Sequence, residues 1–141
     1  MTLRIEVTDD RATCFTLRHT VFVEEQGVPV EEEIDQLDDV ATHILAMADG
    51  VPTGAARVVF DAETAKIGRV CVLRSGRGTG MGVALIQKGV EIARAKPGVT
   101  KVKLGAQIHA LGFYEKLGFQ AYGPIYDDAG IDHRDMVLAL A

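Results

Sequence analysis

The chain has 141 residues, a formal net charge of −5 and 48% hydrophobic residues, which suits one domain, 1–141, built on a single core. Its acidic balance, with no basic stripe interleaved by aromatics, argues against nucleic acid as a partner. Its two cysteines, Cys14 and Cys71, are too few for a disulfide framework or a metal site. Lacking both an apolar run of ~20 residues and a basic-then-apolar leader, the protein is expected in the cytoplasm and off the membrane.

Leu3 to Val7 alternates polar and apolar residues as a half-buried strand, and Thr8-Asp9-Asp10 signals a helix start. Cys14, Leu17 and Val21 recur at helical spacing until Gly27 and Pro29 stop the pattern. The acidic segment after it is read as a loop or short helix. His43–Ala48 and Thr53–Phe60 flank Asp49-Gly50, a two-residue hairpin signal. Lys66–Leu73 is a fourth strand. Val83, Ile86, Val90 and Ala93 mark the buried stripe of a helix ending near Pro97; Val102–Ala106 is a strand and Ala110–Leu117 a short helix closed by Gly118. Met136–Leu140 closes the chain as a strand, and the order is β-α-β-β-β-α-β-α-β-β.

Charge divides the chain. Glu24 to Asp39 holds eight acidic residues and no Lys or Arg, and is expected to repel anions and favour a cationic substrate. Lys66 to Lys103 holds nine basic residues against Glu91 alone, and suits a phosphorylated ligand.

Between these strands and helices lies Arg77-Gly78-Thr79-Gly80-Met81-Gly82, running into a helix. Glycines permit positive φ and close backbone approach, and the unpaired N–H groups of a helix start attract an anion. A nucleotide P-loop is excluded because Val83 and Ala84, not Lys-Ser or Lys-Thr, follow the last glycine. A dinucleotide site is excluded because Gly78-x-Gly80 is followed by Val83, and Glu91 lies on the same helix rather than on a second strand.

The remaining design is Arg/Gln-x-x-Gly-x-Gly/Ala, and Arg77 to Gly82 resembles this acyl-CoA pyrophosphate signature of the GNAT superfamily of N-acetyltransferases. Gln107-Ile108-His109-Ala110-Leu111-Gly112-Phe113-Tyr114-Glu115-Lys116-Leu117-Gly118-Phe119 resembles the superfamily's Asn-x-x-Ala-x-x-x-Tyr-x-x-x-Gly-Phe element, with Gln107 in place of Asn. Arg18-His19-Thr20-Val21-Phe22-Val23-Glu24-Glu25-Gln26-Gly27-Val28-Pro29 and Asp128 to Met136 are similar to small bacterial ElaA/YjcF-type members. The resemblance implies an α/β fold whose central, largely antiparallel sheet splays between strands four and five and is flanked by helices. It implies acetyl-CoA as acyl-donor cosubstrate, a small primary amine as acceptor, direct transfer, and a possible homodimer. A non-catalytic acyl-CoA-binding module is the competing reading.

Acyl transfer from a thioester needs an oxyanion donor, an acid and a base. The resemblance assigns cofactor contacts to Val70, Cys71 and Val72, to Arg77, Gly78, Thr79, Gly80, Met81 and Gly82, and to Gln107 and Tyr114. The Val72 N–H is the candidate oxyanion donor. Tyr114 resembles the family's general acid, a role open to a phenol because a pKa of about 10 keeps it protonated at neutral pH. The strand before the loop offers Cys71 where a carboxylate base is often found; the thiol is read as packed. Candidates for the base or acceptor contacts are Phe22, Glu33, Asp35 and His133.

Overall fold

The computed structural model describes residues 2–140. Its elements in order are β1 (Leu3–Thr8), α1 (Arg11–Arg18), a π-helix (His19–Glu25), α2 (Val30–Glu33), a 3-10 turn (Gln36–Asp39), β2 (Thr42–Ala48), β3 (Val51–Asp61) and β4 (Thr64–Val72). There follow a 3-10 turn (Arg74–Gly76), α3 (Met81–Ala95), β5 (Lys101–Gln107), a 3-10 turn (Ile108–Ala110), α4 (Leu111–Glu115), β6 (Gln120–Asp128) and β7 (Ile131–Ala139).

The strands form one sheet ordered β1-β2-β3-β4-β5-β7-β6. Its pairs are antiparallel except β4 with β5. The Asp49-Gly50 signal holds for a physical reason: φ values of 50° and 80° give the turn a left-handed backbone at both central residues, whose twist matches paired strands. The first helix begins as expected, with the Asp10 carboxylate accepting from Thr13 N–H at 3.1 Å. It does not stay α-helical to Gly27. From His19 it widens, the Gln26 N–H reaching back five residues to the Val21 carbonyl at 3.2 Å. One further difference concerns the end of the chain: the closing strand starts at Ile131 rather than Met136, and β6 is the penultimate strand of the expected order. β6 is almost wholly exposed at the sheet edge, so its sequence carries no apolar alternation.

Two apolar layers hold the sheet. On one face α3 buries Met81, Leu85, Ile86 and Ala93 against Val58, Ile67, Val102, Leu104 and Met136. On the other, α1 and the π-helix place Cys14, Leu17 and Val21 over Leu45, Ala55 and Cys71. Contact between α3 and β4 is close enough to require glycine: a Cβ on Gly89 would sit 2.6 Å from Ile67 Cδ1 and 3.0 Å from its Cγ1. Gly89→Ala is therefore expected to destabilise by about 1–3 kcal/mol through overpacking, despite alanine's better helix propensity of roughly 1 kcal/mol. Urea unfolding measures the difference; a stabilised variant would show that α3 shifts freely.

Candidate active site

Strands β4 and β5 pair only over Thr64–Lys66 with Lys101–Lys103, and then part. A bulge drives the separation: β4 slips register against β3 between Ala55 and Arg57, and Arg69 takes φ +52°. Past the bulge, Leu73 N–H donates to the Thr53 carbonyl at 2.9 Å. In an antiparallel ladder hydrogen-bonded pairs alternate with open ones, so Cys71 bonds to Ala55 while Val72 turns its N–H and C=O away from β3. That direction is the gap left by β5. The Cys71 thiol faces the α1 layer instead, and burial pushes it up to about 12, so it is a neutral packing group at pH 7.

The glycine loop lies beyond this gap. Gly78 and Gly80 have φ of 77° and 88°, and Gly80 caps α3 without a side chain, which leaves the first N–H groups of a 15-residue helix directed outwards. Gly82 has room for a methyl, with Phe113 3.6 Å from an added Cβ. The Thr79 hydroxyl bonds back to the Gly76 carbonyl and so shapes the loop. Met81 contributes only backbone here, because its side chain is buried in the core. Arg77 folds back: Nε donates to the Val72 carbonyl at 3.0 Å and Nη2 pairs with Glu25 at 2.6 Å.

On the α1 side the gap opens into a cleft of about 360 Å³ lined by Phe22, Glu33, Val70, Gln107, Tyr114 and His133, all singled out by sequence, together with residues that were not. Tyr114 is half-buried on α4, edge-on to Phe113 and Phe119, and burial raises its phenol further above the usual value. Gln107 Nε2 donates to Gln26 Oε1 at 3.0 Å. In the β5–β7 ladder His133 stands opposite Gln107. Its Nδ1 lies 2.7 Å from the Ile131 carbonyl, an acceptor, so Nδ1 carries a proton and, in the neutral ring, the lone pair is on Nε2. The ring stacks on Tyr126, whose hydroxyl donates to Asp135 at 2.8 Å and occupies the space a Cβ on Gly105 would need.

Much of the acidic segment is paired rather than free. Five of its eight carboxylates are paired with arginine: Glu25, Glu33, Asp35, Asp38 and Asp39. At the centre Arg18 (1% exposed) donates to Glu33 at 2.7 Å and to Asp38 at 2.7 Å; Arg57 donates to Asp35 at 2.7 Å and Asp38 at 2.9 Å; Arg69 donates to Glu33 at 3.0 Å. Three guanidiniums therefore meet three carboxylates with no net charge. Glu33 and Asp35 are both bound to arginine in this network, so part of the acidic run is neutralised on folding.

Burial opposes ionisation of Asp38, but hydrogen bonds from Arg18, the Asp35 N–H and Arg57 overcome it and hold the carboxyl well below its usual range. The hydrogen bond from Arg57 does the same for Asp35. Both carboxyls are depressed in the folded state, so their stabilisation is complete above the ordinary value of 3.8 and is lost as pH falls below it. Melting temperature is expected to hold from neutrality to about pH 5 and to drop steeply below roughly pH 4. Thermal melts against pH check this, and a flat profile would remove the network from the stability account.

Sequence reasoning missed Arg18, Asp38, Arg57 and Arg69. One signal was available: Arg18 follows Cys14 by four residues on the buried stripe of α1, and an arginine there must find carboxylates. Gly68, Tyr126 and Asp135 were missed for a different reason, since only the fold brings β4 and the β6–β7 hairpin around one cleft.

YjcF of Bacillus subtilis, described as an uncharacterized N-acetyltransferase, is 40% identical over 124 residues, covering 87% of this chain and 88% of that protein. The crystal structure of Escherichia coli ElaA superposes with a TM-score of 0.83 at 29% identity, covering 97% of this chain and 98% of that one. A Bacillus subtilis acetyltransferase solved in complex with CoA shares the fold with a TM-score of 0.73 at 22% identity, covering 99% of this chain and 100% of that one. With the profile of the acetyltransferase (GNAT) domain matching residues 8–140, and a relative 40% identical over most of its length, the chain belongs to the GNAT acetyltransferases.

Proposed function

We propose that the protein transfers the acetyl group of acetyl-CoA to a primary amine of a small molecule or peptide, by direct attack within a ternary complex. The observation that carries this reading is the Val72 N–H, turned into a gap that Tyr114 also lines. Acetyl-CoA supplies an acyl group activated as a thioester. Gly78, Gly80 and the first N–H groups of α3 receive its pyrophosphate. Val72 N–H donates to the thioester carbonyl oxygen, where negative charge develops as the amine nitrogen bonds to carbon. Tyr114 gives its proton to the departing sulfur as the C–S bond breaks. His133 Nε2 takes the proton that the amine loses, directly or through one water. Unlike Glu33 and Asp35, it forms no ion pair with arginine.

Thiol release from acetyl-CoA, followed against amines, polyamines, aminoglycosides and peptide N-termini, tests the reading. Turnover with one of these classes supports it; calorimetric CoA binding with no turnover in the whole panel favours the non-catalytic module. Gly68 tests the placement of the acceptor. It lines the cleft, and an added Cβ meets nothing within 4 Å, so a larger side chain enters the cleft without straining the fold. Gly68→Leu is expected to raise the acceptor KM by roughly tenfold or more while CoA affinity stays unchanged. Equal kinetics in the variant would move the acceptor elsewhere.

A further inference from the structure

Glu25 and Gln26, at the end of the π-helix, have no role in the chemistry above, yet both reach across the opening between β4 and β5. Glu25 Oε2 accepts from Arg77 Nη2 at 2.6 Å and Oε1 at 2.9 Å, and Oε1 also accepts from Arg74 Nε at 3.1 Å. Arg77 is itself fixed to β4 through Nε and the Val72 carbonyl at 3.0 Å. One residue on, Gln26 Oε1 accepts from Gln107 Nε2, at the end of β5, at 3.0 Å. The two neighbours thus tie one splayed strand to the other at the mouth of the glycine loop.

We propose that Glu25 occupies the Arg77 guanidinium in the cofactor-free protein as a carboxylate stand-in for pyrophosphate, and that cofactor binding displaces it, releasing the Glu25–Gln26 strap. This rests on the acetyl-CoA reading. Nη2 is committed to Glu25 and Nε to Val72, so Arg77 cannot grip a phosphate bidentately while Glu25 stays. One carboxylate facing Arg74 and Arg77 leaves a positive charge uncompensated, whereas a pyrophosphate satisfies both. The exchange is therefore favourable, but it proceeds against an ion pair already made. The same π-helix carries Phe22, and Gln26 follows it; both line the acceptor cleft. Releasing the strap therefore frees residues of that wall.

Calorimetry on wild type and Glu25→Gln, with CoA and with pantetheine, which lacks the pyrophosphate, tests the strap. Glu25→Gln is expected to bind CoA roughly two- to fivefold tighter, the scale of one partly exposed ion pair, with pantetheine affinity unchanged. The gain is expected to shrink in high salt and to shrink when Arg77→Ala is added. CoA affinity that is unchanged or weaker in Glu25→Gln overturns the proposal, because Glu25 would then only orient Arg77. An equal gain for pantetheine also overturns it, as a packing effect. Should Glu25→Gln fail to fold in a ligand-free thermal melt, Glu25→Asp, which keeps the charge but lengthens the pair, is expected to change affinity in the same direction. A wild-type protein that binds no CoA defeats the functional reading itself, whereas binding that the variants leave unchanged defeats only the strap.

Discussion

Replacing Arg18 with methionine is expected to destabilise the protein by about 3–5 kcal/mol, a large part of the roughly 5–15 kcal/mol that holds a domain folded. Methionine fills the volume of the arginine stem, so lost packing is a small part of the effect. The loss is electrostatic. Glu33 and Asp38 have side chains only 2% and 0% exposed, and each would keep its charge with one guanidinium fewer beside it. Removing one partner from a buried pair leaves the other desolvated and uncompensated, which costs far more than the pair contributed. Urea unfolding reads the change. Adding Glu33→Gln and Asp38→Asn to Arg18→Met separates the causes: recovery of about half the loss or more assigns it to stranded charge, and no recovery assigns it to packing around α1.

Tyr114→Phe is expected to lower kcat by about 10²–10⁴-fold while CoA affinity holds within a factor of about two. Phenylalanine keeps the ring and its edge-on contacts to Phe113 and Phe119, so α4 remains packed and only the hydroxyl is lost. A group that acts only as acid affects the transition state and not cofactor binding, so kcat falls and the dissociation constant does not. Burial raises this phenol, which keeps it protonated through the neutral range and makes the rate insensitive to its ionisation there. Single-turnover thiol release with calorimetry distinguishes the outcomes. Unchanged kcat would show that the thiolate leaves without this proton, and CoA binding lost in parallel would make Tyr114 a binding residue.

How much was legible depended on how local each signal was. The Asp49-Gly50 hairpin, the Asp10 cap, α3 and the glycine loop each rest on residues within a few positions of one another, and each formed where the sequence put it. The π-helix was not legible because His19 to Glu25 continues an apolar helical pattern; the widening brings Gln26 and Phe22 to the cleft, a demand set by the sheet beneath. The acidic segment misled because charge was counted along the chain. Its partners Arg57 and Arg69 lie 22 and 36 residues away from Asp35 and Glu33, beyond the reach of any local pattern.

The sequence by itself determined the order of elements, the glycine loop before α3 and the phenol at position 114, since spacing and turn chemistry act over a few residues whatever surrounds them. Tertiary structure alone decided which carboxylates are neutralised, which nitrogen of His133 is free, and that Glu25 reaches Arg77. Those depend on burial and on partners brought together from distant strands, and the energy of an ion or a hydrogen bond is set by where the whole fold leaves it.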